Sequence, residues 1–140
     1  MAAVAIKPVL VLDTNLVLDL LVFKDPAVEG LRQSLEDASV EWLVTEPMRA
    51  ELERVLGYPR IAKWLQTPKL GVAAVLAPFD RLSQPRAVAA LATIRCSDPD
   101  DQMFIDLAVA HHAQLLSKDL AVLRLRKRLA AVGVEVMPAV

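Results

Sequence analysis

The sequence predicts a single α/β domain with a central, mainly parallel sheet of about five strands and helices layered on both faces of that sheet. Short apolar runs of strand length alternate along the chain with longer segments of helical periodicity. The short runs are apolar at successive positions, which is typical of strands buried on both faces of a parallel sheet. Since 140 residues are the usual length of one domain, we expect residues 1–140 to fold as one.

Residues that start or break helices divide the first half of the chain into elements. The apolar run before Asp13 predicts a strand, and Asp13, Thr14 and Asn15 favour a helix start. Asp25-Pro26 ends the helix that follows and begins another. The elements predicted here are a strand over 9–12, helices over 16–23 and 27–37, a strand over 41–45, a helix over 46–56 capped by Thr45, and a short helix over 60–65.

The second half is divided in the same way, apart from one stretch without a clear pattern. Thr67-Pro68 predicts a break, and Gly133 predicts the end of the last helix. The pattern is weak over 82–97, where residues 87–94 fit either a helix or a strand. The other elements predicted here are a helix over 71–81, a helix from Asp98-Pro99 to His112, a strand over 114–117, a helix over 120–132 and a strand over 134–137.

The composition indicates an ordered domain that does not span a membrane. Hydrophobic residues make up 55% of the chain, enough for a core and for an exposed oligomer or partner surface. The longest uncharged runs, 70–79 and 107–117, are too short to cross a bilayer, and residues 1–7 lack the layout of a signal peptide. The single cysteine, Cys96, cannot form an internal disulfide and fits a small buried side chain in a reducing compartment. We therefore expect a cytoplasmic protein.

The charges are unevenly distributed, although the net charge is only −1. Acids gather at Asp98, Asp100 and Asp101, whereas basic residues gather at Lys118 and over 124–128. A negative pocket beside a positive rim is compatible with this pattern. The basic stretch over 124–128 fits either contacts with phosphates or a solvated helix face.

Four acids are expected at one edge of the sheet. Ligands of open parallel sheets bind at the carboxyl ends of the strands, where Asp13 closes the first strand and Asp119 follows the strand over 114–117. Glu51 lies on the flank of the apolar stripe of its helix, and Asp101 shares a helix face with Ile105. The combination predicts a site, although no single acid does.

Ordinary structural roles remain open for some of these acids. Glu51 can reach sideways to water. Asp98 fits an N-cap, and acids in a first helical turn interact favourably with the helix dipole. Capping accounts for Asp98 but less well for three acids within four residues.

Four neighbouring carboxylates favour a bound cation, because like charges raise each other's pKa and disfavour ionisation. Mg²⁺ and Mn²⁺ prefer oxygen ligands, and the sequence has no His or Cys cluster of the kind that binds zinc. A carboxylate-held metal with open water positions can orient and activate water beside a phosphoryl group. This chemistry indicates phosphodiester hydrolysis.

Several segments resemble the PIN-domain family, in particular its VapC-like branch of toxin components. The strand end Val11-Leu12-Asp13-Thr14-Asn15 resembles the opening motif of the family, and Glu51 its second acid. The segment Ser97-Asp98-Pro99-Asp100-Asp101 with the following Gln-Met-Phe resembles its third acidic motif. Leu116-Ser117-Lys118-Asp119 resembles its last motif, with Ser117 where Thr is commoner. Residues 66–96 match poorly.

The resemblance implies a Rossmann-like three-layer PIN fold and an Mg²⁺- or Mn²⁺-dependent ribonuclease that cuts single-stranded RNA. It also implies a homodimer paired with an antitoxin protein. Asp13, Asp101 and Asp119 would be metal ligands, and Glu51 a ligand or the residue that orients the attacking water. Thr14, Asn15 and Ser117 would contact a ligand or the scissile phosphate, and Asp98 or Asp100 would replace or assist Asp101.

The remaining candidate residues have weaker claims. His111 and His112, late in a helix, fit a structural role with the helix dipole. Trp42, within a strand, fits the core, whereas Trp64, beside Lys63, fits an RNA-contacting or dimer surface.

Three other functions are open. A non-catalytic PIN-like domain that binds RNA or protein would fit a damaged acidic set, but all four positions are acids here. Phosphoaspartyl chemistry at Asp13 would need a second Asp two residues on in a phosphatase, where Asn15 stands, or a lysine at a late strand end in a signal receiver, where Lys118 is the candidate. A nucleotide-binding Rossmann domain would need a glycine-rich loop, and the chain has only four glycines.

Overall fold

Five parallel strands form the sheet that organises the chain. The structure is a computed structural model and describes residues 7–65 and 71–138. The strands are β1 (Val9–Leu12), β2 (Glu41–Val44), β3 (Ser83–Pro85), β4 (Gln114–Leu116) and β5 (Val136–Met137). Their order across the sheet is β3-β2-β1-β4-β5, and each neighbouring pair is parallel. The predicted α/β class and the predicted parallel sheet are confirmed.

Helices connect the strands, as parallel pairing requires. The helices are α1 (Thr14–Leu18), α2 (Glu29–Glu36), α3 (Glu46–Leu56), α4 (Pro59–Ala62), α5 (Val72–Leu82), α6 (Gln102–His111), α7 (Leu120–Leu123) and α8 (Arg126–Ala130). A π-helical turn, Asp19–Phe23, continues α1, and 3₁₀ turns occur at Pro26–Val28, Lys63–Leu65 and Pro99–Asp101. Among the described helices, none combines the length and the apolar character needed to cross a membrane.

The core lies on both sides of the sheet. Consecutive residues of a strand point to opposite faces, and Leu10, Val11 and Leu12 are all at most 2% exposed. Helices therefore cover both faces of the sheet, as the sequence predicted. Trp42 on β2 is buried against Phe79 of α5, with the two rings edge to face at 5.0 Å.

Strand β3 lies in the stretch over 82–97, where the sequence pattern was weakest. Residues 83–85 form β3, whereas 87–94, for which a helix or a strand was predicted, is irregular. This strand has three residues and ends at Pro85, and among the described strands it pairs with β2 alone, at the edge of the sheet. Proline cannot donate to a ladder and is confined to edges. The three residues of β3 contain no apolar run or alternation, so the sequence pattern does not predict a strand there.

Three further expectations differ from the structure. The helix predicted over 120–132 is two short helices, α7 and α8, separated by Arg124 and Leu125. Thr45 occupies the N-cap position of α3 in extended conformation, but its hydroxyl makes no capping hydrogen bond. The last strand is shorter than 134–137, since only Val136 and Met137 pair with β4. The predicted break at Thr67-Pro68 lies outside the described residues.

The carboxyl ends of β1 and β4 meet at the point where the strand order reverses. From β1, the sheet extends through β2 and β3 in one direction and through β4 and β5 in the other. Leu12 pairs with Leu116, and the Asp13 N–H donates to the Leu116 carbonyl at 3.1 Å. Asp13 and Ser117 are therefore neighbours at the switch point, where open α/β sheets bind ligands.

Candidate metal centre

Asp13 is the buried acid at the end of β1. Its Oδ1 accepts the Leu16 N–H at 2.9 Å, which caps α1, and its Oδ2 accepts the Ser117 hydroxyl at 2.5 Å. The residue is 3% exposed. Burial raises the pKa of Asp13, the two hydrogen bonds oppose this rise, and the charges of Asp119 and Asp19 add to it. Both oxygens of this carboxylate are thus held in place.

Ser117 joins the ends of β1 and β4. Its side chain is fully buried, and its Oγ accepts the Asp119 N–H at 3.1 Å while donating to Asp13. Asp119 in turn caps α7, because its Oδ1 accepts the Ala121 N–H at 2.8 Å. The serine therefore fixes the position of Asp13 and the backbone of Asp119 together.

The segment that carries Asp98 and Asp101 is fastened by one glutamine. Gln102, at the start of α6, accepts the Cys96 N–H at 2.6 Å and donates to the Ile94 carbonyl at 2.9 Å and to Asp106 at 3.0 Å. These bonds hold irregular backbone against α6.

Three carboxylates come close enough to share a cation. Asp98, Asp101 and Asp119 each present one oxygen, and these oxygens all lie within 4.8 Å of one another. Asp98 also caps the turn before α6, since its Oδ1 accepts the Asp100 N–H at 3.0 Å. We call these three residues the aspartate triad. Capping and membership of the triad are thus compatible roles for Asp98.

Asp101 is a half-buried member of the aspartate triad that lies close to other carboxylates. Burial, followed by the charges of Asp119, Asp98 and Asp13, raises its pKa from 3.8 to about 7. Its Oδ2 is buried and has no hydrogen-bond partner among the described residues. A buried oxygen acceptor without a donor is costly, and a cation would remove both the missing contact and the repulsion. The donor set, which is entirely carboxylate, fits Mg²⁺ or Mn²⁺.

Glu51 lies beside Asp13 but outside the aspartate triad. It is half-buried on α3, and burial raises its pKa, with smaller contributions from Asp100 and Asp13. Arg54 and the Thr14 hydroxyl lower it. Of the four acids predicted for one site, the structure thus brings Asp101 and Asp119 together with Asp98. The Asp13 carboxylate lies next to these three, and the Glu51 carboxylate lies within hydrogen-bonding reach of the Thr14 hydroxyl.

An open groove of about 600 Å³ borders the site, and we call it the Trp64 groove. Asn15 and Asp119 line it, as do Lys63 and Trp64 of the turn after α4. Asn15, predicted to contact a ligand or phosphate, is exposed in this groove. The basic residues that line the Trp64 groove do not come from 124–128. The groove therefore does not support the interpretation that this stretch contacts phosphates.

Asp19 is a residue of this region that sequence reasoning missed. It lines the Trp64 groove and accepts a hydrogen bond from the Lys118 ammonium at 2.5 Å. A signal was present, because Asp19 is the only charge within the apolar run over 16–23, and an acid in such a run needs a partner. Since Lys118 pairs with Asp19 and Asp13 is engaged by Ser117, the phosphoaspartyl alternative loses its proposed lysine.

The other candidate residues lie where the sequence placed them. His111 and His112 are exposed at the end of α6, where His112 has a left-handed φ of 50°. Trp42 is in the core, and Trp64 is 52% exposed. Burial raises the pKa of the Cys96 thiol, which is the opposite of what a reactive thiolate needs.

The raised pKa of Asp101 predicts that metal-free protein becomes less stable as pH rises. A group whose pKa is higher in the folded state than in the unfolded state stabilises the fold at low pH, and this stabilisation is lost as pH rises through the folded pKa. For Asp101 the pKa is 3.8 in the unfolded state and about 7 in the folded state, so the loss falls between these two values. We expect the melting temperature in chelator to fall between about pH 4 and about pH 7, and Mn²⁺ to raise it more at the higher pH.

Melting curves of the wild type and Asp101→Asn, with chelator and with Mn²⁺, check this prediction. The variant should show a smaller loss of stability on going to the higher pH. A wild type whose melting temperature, with or without Mn²⁺, is independent of pH in this window would contradict it.

Comparison with known proteins gives a family match and a similarity of fold. Residues 9–121 match a family model described as "PIN domain". The fold is similar to a chain in the crystal structure of VapBC2 from Rickettsia felis bound to a DNA fragment from their promoter, with a TM-score of 0.61. The sequence identity is 14%, and the match covers 91% of this chain and 98% of that chain. No match was found among curated proteins. At this identity the structural likeness concerns the fold alone.

Proposed function

Because this chain belongs to the PIN-domain family of nucleases, we propose that it is a divalent-metal-dependent endoribonuclease that hydrolyses phosphodiester bonds in single-stranded RNA. The observation that supports this best is the aspartate triad, whose three oxygens lie within 4.8 Å of one another beside the buried, unpartnered Oδ2 of Asp101. The metal would be Mg²⁺ or Mn²⁺.

Each acid has a proposed part in the reaction. Asp98, Asp101 and Asp119 would hold the metal, and Asp13 would add a ligand from the end of β1. A bound divalent ion would lower the pKa of water and stabilise charge on the phosphoryl group. Ser117 would keep the Asp13 carboxylate aimed at the site.

Glu51 would orient the attacking water and accept its proton, or add a further ligand. A general base works best when its pKa lies near the working pH, and burial raises the pKa of Glu51 in that direction. The Thr14 hydroxyl would hold this carboxylate, and Asn15 would hydrogen-bond a phosphate oxygen from the groove.

We further propose that the protein is a homodimer and the cytoplasmic toxin of a toxin–antitoxin pair. The similarity to a chain of the VapBC2 structure supports an antitoxin partner. Exposed apolar side chains such as Val88, Leu91 and Leu120, each at least 59% exposed, offer surface for either association. A monomer mass by light scattering at high concentration would remove the dimer from this proposal.

Cleavage of a labelled RNA pool tests the activity. We expect cutting of single-stranded RNA with Mg²⁺ or Mn²⁺, none with chelator, and little of duplex RNA or of single-stranded DNA. Folded protein that neither cuts RNA nor binds Mn²⁺ would reject the nuclease and favour a non-catalytic binding domain.

A further inference from the structure

The Trp64 groove presents an aromatic ring that the fold leaves in solvent. Trp64 is 52% exposed, whereas Trp42 is 1% exposed. Phe23 packs edge to face against Trp64, with ring centroids 5.0 Å apart and an interplanar angle of 74°. This contact holds the indole in place while about half of its surface stays open. Exposed, fixed aromatic rings are the platforms on which single-stranded nucleic acids stack their bases.

Positive charge accompanies the ring. Arg60 and Lys63 line the Trp64 groove and are exposed. Within the described residues neither forms an ion pair, whereas the third basic residue of the groove, Lys118, is engaged by Asp19. Both charges are therefore available to a polyanion, which the acids at the cleavage site would otherwise repel.

We propose that the Trp64 groove is a nucleobase subsite, in which one unpaired base of the RNA stacks on Trp64 and the adjoining phosphates lie against Arg60 and Lys63. This inference rests on the proposed function, because the same strand is cut beside Asp119, which also lines the groove. Arginine and lysine flanking an aromatic ring complement a phosphate–base–phosphate unit. Single-stranded RNA repeats this unit along its whole length.

The subsite also gives a physical basis for the single-strand specificity proposed above. In a duplex each base is already stacked and paired, so none is free to lie on Trp64 without unpairing. The groove thus selects unpaired RNA by the same contact that binds it, independently of the metal. Stacking tolerates any base, so this subsite confers little sequence preference.

Tryptophan fluorescence measures the stacking directly. Trp42 is buried, so a change on adding RNA reports on Trp64. The experiment uses Asp101→Asn protein, to prevent cutting, and single-stranded RNA of about ten nucleotides. We expect the RNA to quench the emission and the same RNA annealed to its complement to leave it unchanged. Trp64→Phe in this background should remove the quenching and keep most of the affinity.

Affinity and kinetics of further variants separate stacking from a structural role. Fluorescence anisotropy of labelled RNA should show about a tenfold or greater loss of affinity in Trp64→Ala, and Lys63→Ala should lower the salt slope of binding by about one. In the otherwise wild-type enzyme, Trp64→Ala should raise KM with kcat little changed. Tyr58→Ala is the matched control, because Tyr58 is 46% exposed but does not line the groove.

Three outcomes would overturn the subsite. Metal-dependent cleavage with an unchanged KM in Trp64→Ala would reject it while leaving the nuclease in place. A dimer that becomes monomeric on Trp64→Ala, with RNA affinity retained, would assign the ring to an interface between copies. A parent protein that neither binds nor cuts RNA would reject the subsite together with the proposed function.

Discussion

Asp101→Asn is expected to abolish metal-dependent cleavage, lowering the rate by about a hundredfold or more. Substitution of residues that merely support metal ligands costs about 10- to 100-fold in affinity or activity, so loss of a ligand should cost at least as much. The change removes one charge and keeps the shape of the side chain. Because Asp101 meets the charges of Asp98, Asp119 and Asp13, the metal-free variant should also melt at a higher temperature than the wild type above about pH 7.

Asp101→Asn is expected to lose activity and to gain thermal stability, and this combination distinguishes loss of a metal ligand from unfolding. A variant that is inactive because it unfolds would melt earlier, not later. Asp100→Asn is the matched comparison, since Asp100 is exposed one residue away and lies outside the aspartate triad. Cleavage and Mn²⁺ affinity are measured in both variants. If Asp100→Asn lost most of both while Asp101→Asn kept them, the metal ligand would be Asp100 and not Asp101.

The edge at which the acids meet could be predicted from the sequence. Asp13 and Asp119 each follow a short, wholly apolar run, and parallel pairing brings the ends of such runs together. The register Leu12 with Leu116 places the residues as that argument requires. Nothing beyond local composition and the geometry of parallel sheets was needed.

The exact membership of the cluster could not be predicted. Asp98 has a sufficient local explanation as a cap, and a residue that caps a turn can still present a carboxylate oxygen to Asp101 and Asp119. Glu51 lies on the expected helix face, but its reach depends on how α3 packs against α1, which no local pattern encodes. In the Trp64 groove the ring of Phe23 packs against that of Trp64. Tertiary packing determines such contacts between distant segments, and the local sequence does not.

Asp13→Asn is expected to keep the fold and to lose Mn²⁺ binding and cleavage, again by about a hundredfold or more. Asparagine retains an oxygen that can accept the Leu16 N–H and so cap α1. It removes the charge that a cation would meet at the end of β1. Asp13→Ala separates the two roles, because it removes the cap and leaves the buried Ser117 hydroxyl without its acceptor.

The alanine variant should therefore lose stability as well as activity. Loss of an N-cap costs about 1 kcal/mol, and a buried polar group left unsatisfied costs about 1–3 kcal/mol more. Urea unfolding in chelator measures this difference, and calorimetry measures Mn²⁺ binding to the asparagine variant. If Asp13→Asn bound Mn²⁺ as tightly as the wild type, Asp13 would be a structural residue only. The metal would then be held by the aspartate triad alone, with Asp13 serving to fix Ser117 and, through it, the backbone of Asp119.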